Sequence, residues 1–282
     1  MALSPEGPPP LVRHTNLWAA EQMLVAYLAL FSTIALFRVG PSALAARLIG
    51  EALGIAVIVL VVARLARSST SPIRQLYLFA LLPRVYGLVG DLNHAPGTVI
   101  RDATIQRWEA ALFGGQPSYQ WWQTHPSGLW STILHGAYFS FYAILLAPTS
   151  YFVARGKSGD ARRATFWIFT AMTVSYVCFV LFPVAGPYFE FPRPTGPQVE
   201  NAMARLVYAT LAAGSAYGAA FPSSHVAAAW ASTAAAWAGS RRLAMWLAIP
   251  TALLTVGVVY TQMHYAIDAV AGGVLAVILV TA

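Results

Sequence analysis

Two of the six histidines stand where apolar stretches begin, and each has neighbours suited to chemistry on phosphorus. The first closes the string Phe221-Pro222-Ser223-Ser224-His225. Proline and serine open a helix there, with a serine at the N-cap. The free N–H groups and partial positive charge of a helix start suit a phosphate. The second histidine opens His264-Tyr265-Ala266-Ile267-Asp268. His264 and Asp268 are four residues apart, so they share one helical face. A carboxylate beside an imidazole fixes its tautomer and increases its basicity. Asp268 lies in an apolar segment, where an ionisable side chain is expensive and usually functional. Such a set can move a phosphoryl group. One imidazole, oriented by the aspartate, attacks phosphorus and becomes a phosphohistidine, and the other protonates the departing oxygen. The two imidazoles must then lie within ~4–8 Å of each other, and Asp268 should reach the distal nitrogen of His264 at ~2.6–3.2 Å. A helix start and a nearby arginine can neutralise the phosphoryl charge. No metal and no cofactor is expected, because one carboxylate and two imidazoles lack the ligand count of a zinc or magnesium site. The alternative role for these three residues is an interhelical polar clamp.

Composition says what must position them. Of 282 residues, 58% are hydrophobic and only 10% are charged, and mean hydropathy is +0.60. A soluble domain carries about 25% charge. These values exclude a soluble enzyme, a disordered tail and a fibrous repeat, and make lipid the solvent. The chain reads as all-α, a polytopic membrane helical bundle. Eight apolar stretches are expected to be transmembrane helices, at about 22–38, 46–64, 74–90, 129–153, 164–183, 223–239, 243–260 and 264–281. The second carries Arg47 and Glu51 as an i,i+4 pair, and the third carries Arg84 seven residues before Asp91 on one face, as either a structural ion pair or a substrate contact. Between the third and fourth stretches, residues 101–115 read as an amphipathic surface helix with Ile105, Trp108 and Leu112 on its apolar face, followed by an aromatic anchor at Trp121 and Trp122. Residues 184–222 read as a Pro- and Gly-rich loop with a short helix near 198–213.

The net charge of +7 comes from sixteen arginines and a single lysine against ten acids. They fall in short runs between apolar spans, which is a membrane-orientation signal and not a nucleic-acid surface. One side holds Arg64, Arg67, Arg74, Arg155, Lys157, Arg162, Arg163, Arg241 and Arg242, and the other Arg38 and Arg47. Both termini are therefore expected in the cytoplasm, with both histidine motifs on the outward face. Pro8, Pro9, Pro10 and Glu21 stand where an apolar signal core would lie, so no cleavable signal peptide is expected. The single Cys178 excludes an internal disulfide and a thiolate cluster, and reads as a packing residue.

The strings PSSH (222–225) and HYAID (264–268) resemble the second and third motifs of the type 2 phosphatidic acid phosphatase superfamily, usually written PSGH and SR-x5-H-x3-D. The resemblance implies a six-helix membrane core and a lipid phosphatase or phosphotransferase. It also implies that His264 is the nucleophile, Asp268 its orienting partner and His225 the general acid, with the Ser223, Ser224 and His225 backbone cradling phosphate. The first motif, K-x6-R-P, is present only at Arg193-Pro194; Gly186 stands at the lysine position, and Gly257 and Val258 replace the third motif's Ser-Arg. ALFGGQPS (111–118), HGAYFSFY (135–142), LFPVAGP (181–187) and HYAIDAVAGG (264–273) resemble the inositol phosphorylceramide synthase-like (inositolphosphotransferase) branch, which generally lacks those cations. The similarity spans roughly 74–282. This suggests a catalytic core at 74–282 and an N-terminal segment, 1–73, with two additional transmembrane helices.

The expected substrate is a phospholipid or lipid phosphate, drawn from surrounding membrane lipids, with no nucleic acid. The expected setting is a bacterial inner membrane. A simple lipid-phosphate phosphatase acting on phosphatidate or a polyprenyl phosphate is the alternative enzyme, and a non-catalytic transporter or scaffold the alternative of another class. Arg193 is expected to point its guanidinium within ~6 Å of both histidines as a phosphate ligand, or else to be solvated. His135 is either a headgroup or proton-relay residue or a bonded core histidine. Tyr265, with Tyr260 and Gln262, either orients the site or packs beside it. His14, His94 and His125 read as interfacial bystanders and Glu190 as a loop charge.

Overall fold

The structure, a computed structural model, describes residues 17–66 and 70–281. The proline run at 8–10, His14 and Arg67 lie outside the described residues. Every regular element described is helical, and a lone bridge pairs Val184 with Ala219. Each apolar stretch expected from sequence falls on a helix: α1 (Ala19–Val39), α2 (Ala43–Leu65), α3 (Pro72–Asn93), α8 (Ser158–Leu181), α11 (Ser224–Gly239), α12 (Arg241–Tyr260) and α13 (Ala266–Thr281). The stretch at 129–153 is two helices, α6 (Gly128–Phe139) and α7 (Phe141–Ala154), bent by 41° at Ser140.

Helices α1, α2, α8 and α12 are long and apolar enough to cross a membrane, and the α6–α7 pair makes a fifth if it is one span. By that measure four or five spans qualify, against the eight expected. The physical reasons are plain. Helix α3 is interrupted by Arg74, Arg84 and Asp91. Helices α11 and α13 have 16 residues each, about 24 Å of rise against ~30 Å of hydrocarbon.

The remaining helices decorate one end. α4 (Asp102–Phe113) and α5 (Pro117–Thr124) occupy the first long connection; α9 (Pro187–Glu190), a 3-10 turn (Gly196–Gln198) and α10 (Ala202–Gly214) occupy the second. Helix α11 is the hub, packing against α7, α8, α12 and α13. Alanines 227, 228, 229, 231, 235 and 236 are all buried along it. Small side chains let helices approach closely where lipid supplies no hydrophobic drive.

Local sequence explains the helix starts. Ser42, Ser71, Ser127, Asn201, Ser223 and Ser240 are N-caps whose side chains accept a backbone N–H from the first turn. In α1 the N-cap is Trp18, and Glu21 in the first turn accepts its N–H at 2.7 Å. Glu21 is fully buried and also accepts from Arg74 Nη2 at 2.8 Å, Arg74 Nε at 3.0 Å and the Tyr77 hydroxyl at 3.0 Å. The Trp18 ring lies against the Arg74 and Arg162 guanidinium groups. This network ties α1, α3 and α8 together. Removing one partner of a buried ion pair costs about 3–5 kcal/mol, because the other charge is left unpaired. Arg74→Met is therefore expected to lower the thermal midpoint of the detergent-solubilised protein by many degrees, while Arg74→Met combined with Glu21→Leu recovers much of it. Equal midpoints for wild type and Arg74→Met would show the network to be energetically idle.

Four of the charges inside α2 and α3 neutralise one another. Arg84 bonds Asp91 at 3.0 Å and also pairs with Glu51; Arg47 lies 3.8 Å from Glu51 and 3.5 Å from Asp91. Both pairs expected from sequence form, and they merge into one four-residue cluster. Asn93 pins the end of α3: it accepts from Arg38 at 2.9 Å and donates to the carbonyls of Phe179, Tyr217 and Gly218.

Candidate active site

His264 sits in the turn between α12 and α13. That turn is held from inside: the N–H groups of Met263 and His264 both donate to the Val258 carbonyl at 2.9 Å, and Gln262 adopts a positive φ of 60°. The Gln262 amide accepts from Trp122 Nε1 at 2.9 Å and donates to the carbonyls of Pro192 and Pro187. Trp122, expected as a lipid anchor, is thus a strut beneath the turn.

The His264 ring makes two contacts that fix its chemistry. Nδ1 is 3.0 Å from the Ala220 carbonyl, which can only accept, so Nδ1 carries the proton. Nε2 is then the lone-pair nitrogen, and it lies 3.3 Å from Nδ1 of His225. His225 Nδ1 must donate there, which leaves its Nε2 to accept from the Tyr138 hydroxyl at 3.4 Å. Burial, partly offset by the Ala220 carbonyl, pushes the His264 imidazole down to about 4. It is neutral at pH 7, as a nucleophile must be.

Asp268 differs from expectation in one respect. Its Oδ2 is 3.4 Å from His264 Nδ1, longer than the anticipated 2.6–3.2 Å. The reason is competition: the Ala220 carbonyl takes the ring N–H, while Asp268 Oδ2 accepts the Tyr265 N–H at 2.9 Å. Asp268 is fully buried, and its Oδ1 has no hydrogen-bond partner.

Both motifs are bolted together through backbone. The Ser223 N–H donates to the Asp268 carbonyl at 3.0 Å, and the Ser223 hydroxyl accepts from Val226 N–H at 3.4 Å. The N–H groups of Ser224 and His225, at the start of α11, have no intrahelical acceptor. Gly272 permits this closeness: a Cβ there would come 2.5 Å from the Ser223 carbonyl oxygen.

The connection helix α4 carries a surprise. Its buried residues are Asp102, Ile105 and Glu109, while Trp108 and Leu112 are 45% and 66% exposed. The polar stripe faces the protein, and two of the three apolar residues face out. Asp102 accepts from Ala185 N–H at 2.7 Å, Gly186 N–H at 2.8 Å and the Tyr265 hydroxyl at 2.9 Å. Gln106 also donates to the Tyr265 hydroxyl, at 2.9 Å. Tyr265, fully buried, is therefore held from two sides.

The other expected residues are placed as follows. Arg193 lays its guanidinium over the rings of Tyr188 and Tyr208, at 4.2 and 5.9 Å, and forms no hydrogen bond or ion pair among the described residues. His135 is fully buried: its Nδ1 meets the Ser131 carbonyl and hydroxyl at 2.9 and 3.0 Å, and its Nε2 has no partner. Its ring lies 5.9 Å from that of Tyr208, which thus stands between His135 and Arg193. The His94 imidazole bonds the Gly90 carbonyl at 2.8 Å and packs on Tyr217. Sequence reasoning missed Tyr138, Asp102, Gln106 and Glu109. The last three share a helical face at i, i+4 and i+7, a stripe that was visible but was assigned to water.

The missing motif cations have structural counterparts. Gly186 has φ of 93°, and a Cβ there would meet the Ala220 side chain at 2.9 Å. At Gly257 a Cβ would lie 2.9 Å from the Leu134 carbonyl, and Val258 is fully buried. Neither a lysine nor a Ser-Arg pair fits these positions. Among the described residues, no group of three or more His, Cys, Asp or Glu side chains is arranged to hold a metal ion.

A cavity of about 850 Å³ reaches the site. Ser224 and His225 line it, with Phe79, Leu82, Leu145 and Met172 among its apolar walls and Arg84 and Asp91 also along it.

No curated protein and no solved structure gives a significant match to the chain. A family model described as the PAP2 superfamily matches residues 103–282, from α4 through α13. The matched region contains both histidine motifs and covers well over half of the chain; by that match the chain belongs to the PAP2 superfamily, whose members are generally phosphatases and phosphotransferases of lipid phosphates.

Proposed function

We propose that this protein transfers a phosphoryl or phospho-headgroup unit from a lipid to an alcohol through a phosphohistidine on His264, in the manner of the inositol phosphorylceramide synthase-like branch. The observation that carries the reading is the 3.3 Å approach of His264 Nε2 to His225 Nδ1 beside an apolar cavity large enough for a lipid chain. The lone pair on Nε2 attacks phosphorus, and the bond from phosphorus to the leaving oxygen breaks. With the anionic phosphate bound beside it, His225 takes up a proton, and the imidazolium gives its Nδ1 proton to that oxygen and is left as a neutral ring. The acceptor alcohol then loses its proton to the same nitrogen and attacks the phosphohistidine, restoring both rings. The two imidazoles touch in the resting site, so the phosphoryl group must part them on arrival. The N–H groups of Ser224 and His225 supply a place for its charge.

The transferase reading also draws support from Gly186, Gly257 and Val258, where the branch generally lacks the superfamily's cations and where side-chain space is absent. We further propose eight spans, with residues 74–282 as the six-helix core and 1–73 as an addition. Both termini then lie in the cytoplasm and the site faces outward, following the nine basic residues counted on one side.

The experiment is product identification by mass spectrometry. The purified protein is incubated with phosphatidate, a polyprenyl phosphate or anionic glycerophospholipids, with and without polyol and lipid alcohols, in excess chelator. A new phospho-alcohol, formed in chelator, is the expected product. Release of inorganic phosphate alone, whatever alcohol is present, would replace the transferase with a phosphatase. Activity lost in chelator and restored by a divalent ion would contradict the histidine mechanism.

A further inference from the structure

The first N–H of α13 finds its acceptor on a remote helix. Ala266 opens α13, two residues after His264, and its N–H donates to Glu109 Oε1 at 2.6 Å. Glu109 is on α4 and is fully buried. Its Oε2 has no hydrogen-bond partner, as is also true of Asp268 Oδ1. Burying a carboxylate with one oxygen unsatisfied is costly, so the site sustains a penalty that an exposed cap would avoid. The same face of α4 grips the preceding residue, through Asp102 and Gln106 on the Tyr265 hydroxyl. Helix α4 thus holds the side chain of Tyr265 and the backbone of Ala266, the two residues that directly follow His264.

We propose, on the phosphohistidine reading above, that Glu109 is a positioning residue whose carboxylate anchors the start of α13 and thereby aims His264 and Asp268. A helix N-terminus favours an anion, and a charge-assisted hydrogen bond is shorter and stronger than a neutral one. The anchor is therefore tightest when Glu109 is ionised. At twelve residues α4 is too short to span. Burial pushes the Glu109 carboxyl up to about 7; the Ala266 N–H opposes this, and the nearby Asp268 adds to it. The other titratable and charged groups on the elements packed here are Asp102 and Arg107 on α4, Glu190 on α9, Asp268 on α13, and His264 and Tyr265 in the turn. His264, held near 4, does not change charge around neutrality. Below about pH 7 Glu109 is neutral and the anchor loosens; above it the anchor tightens. Turnover should rise with pH through that range.

The test compares kcat-against-pH profiles of wild type and Glu109→Gln, using phosphatidate in mixed micelles, or whichever lipid of the panel above turns over. Glutamine keeps an acceptor for Ala266 but cannot ionise. At pH 8 its kcat should be about tenfold lower, within the range that outer partners of catalytic histidines command. The two profiles should converge near pH 5.5, with KM changed less than twofold. The ratio of the profiles cancels any ionisation of the substrate phosphate. Ala266→Pro provides the same test from the donor's side: proline is tolerated at a first helical position but has no N–H, so the rise near pH 7 should vanish. It also keeps the test open if Glu109→Gln does not fold. A wild-type rise in a folded Glu109→Gln or Ala266→Pro protein overturns the role of Glu109. His264→Ala is run alongside: turnover surviving there overturns the phosphohistidine reading itself, whereas an inactive His264→Ala with an unchanged Glu109→Gln profile removes Glu109 alone.

Discussion

His264→Ala is expected to abolish turnover and phosphoenzyme together. The ring has its Nδ1 proton committed to the Ala220 carbonyl and its Nε2 lone pair free toward His225, whereas the lone pair of His225, on Nε2, points away to the Tyr138 hydroxyl. Removing the nucleophile of a catalytic set typically costs ~10⁶-fold. The loss should not come from unfolding. The backbone of the turn is held by the Val258 and Asp268 contacts, not by the imidazole. Rapid quench with labelled lipid should trap an acid-labile, base-stable phosphoprotein in wild type and none in the variant. A labelled intermediate in His264→Ala would move the nucleophile elsewhere and sink the mechanism.

Asp268→Asn should cost about 10²- to 10³-fold in kcat. An aspartate that alone sets the tautomer of its histidine is worth ~10⁴-fold. Here the Ala220 carbonyl already fixes the Nδ1 proton at 3.0 Å, and no side-chain substitution removes it. What asparagine loses is the negative charge 3.4 Å from the ring, which stabilises the imidazole as it gains positive character on phosphorylation. The asparagine carbonyl can still accept the Tyr265 N–H, so α13 keeps its first turn. Single-turnover kinetics would locate the loss in phosphoenzyme formation. A full ~10⁴-fold loss would mean that the carbonyl does not hold the tautomer, and wild-type rates would reduce Asp268 to a helix cap.

The sequence by itself determined most of the helices and the pairing of His264 with Asp268. Apolar runs mark the long helices and serine caps mark several of their starts, because both act through neighbours in the chain. His264 and Asp268 were legible as partners for the same reason: four residues on a helix share a face. The Arg47–Glu51 and Arg84–Asp91 pairs were legible likewise, as i,i+4 and i,i+7 spacings.

Only the tertiary structure decided which of those partners touch, and in what order. The acceptor of the His264 proton is a backbone carbonyl at residue 220, and a carbonyl leaves no mark on a sequence. Arg193 matched a motif by spacing, and only the fold shows that its guanidinium lies over Tyr188 and Tyr208. The polar stripe of α4 read as a face for water, because periodicity shows that a helix has two faces but not which one is covered. Covering is set by what lies opposite: the free N–H groups of residues 185, 186 and 266 draw Asp102 and Glu109 inward and leave Trp108 and Leu112 outside. Those donors are supplied by segments some 80 and 160 residues away along the chain, and only folding brings such groups to one place.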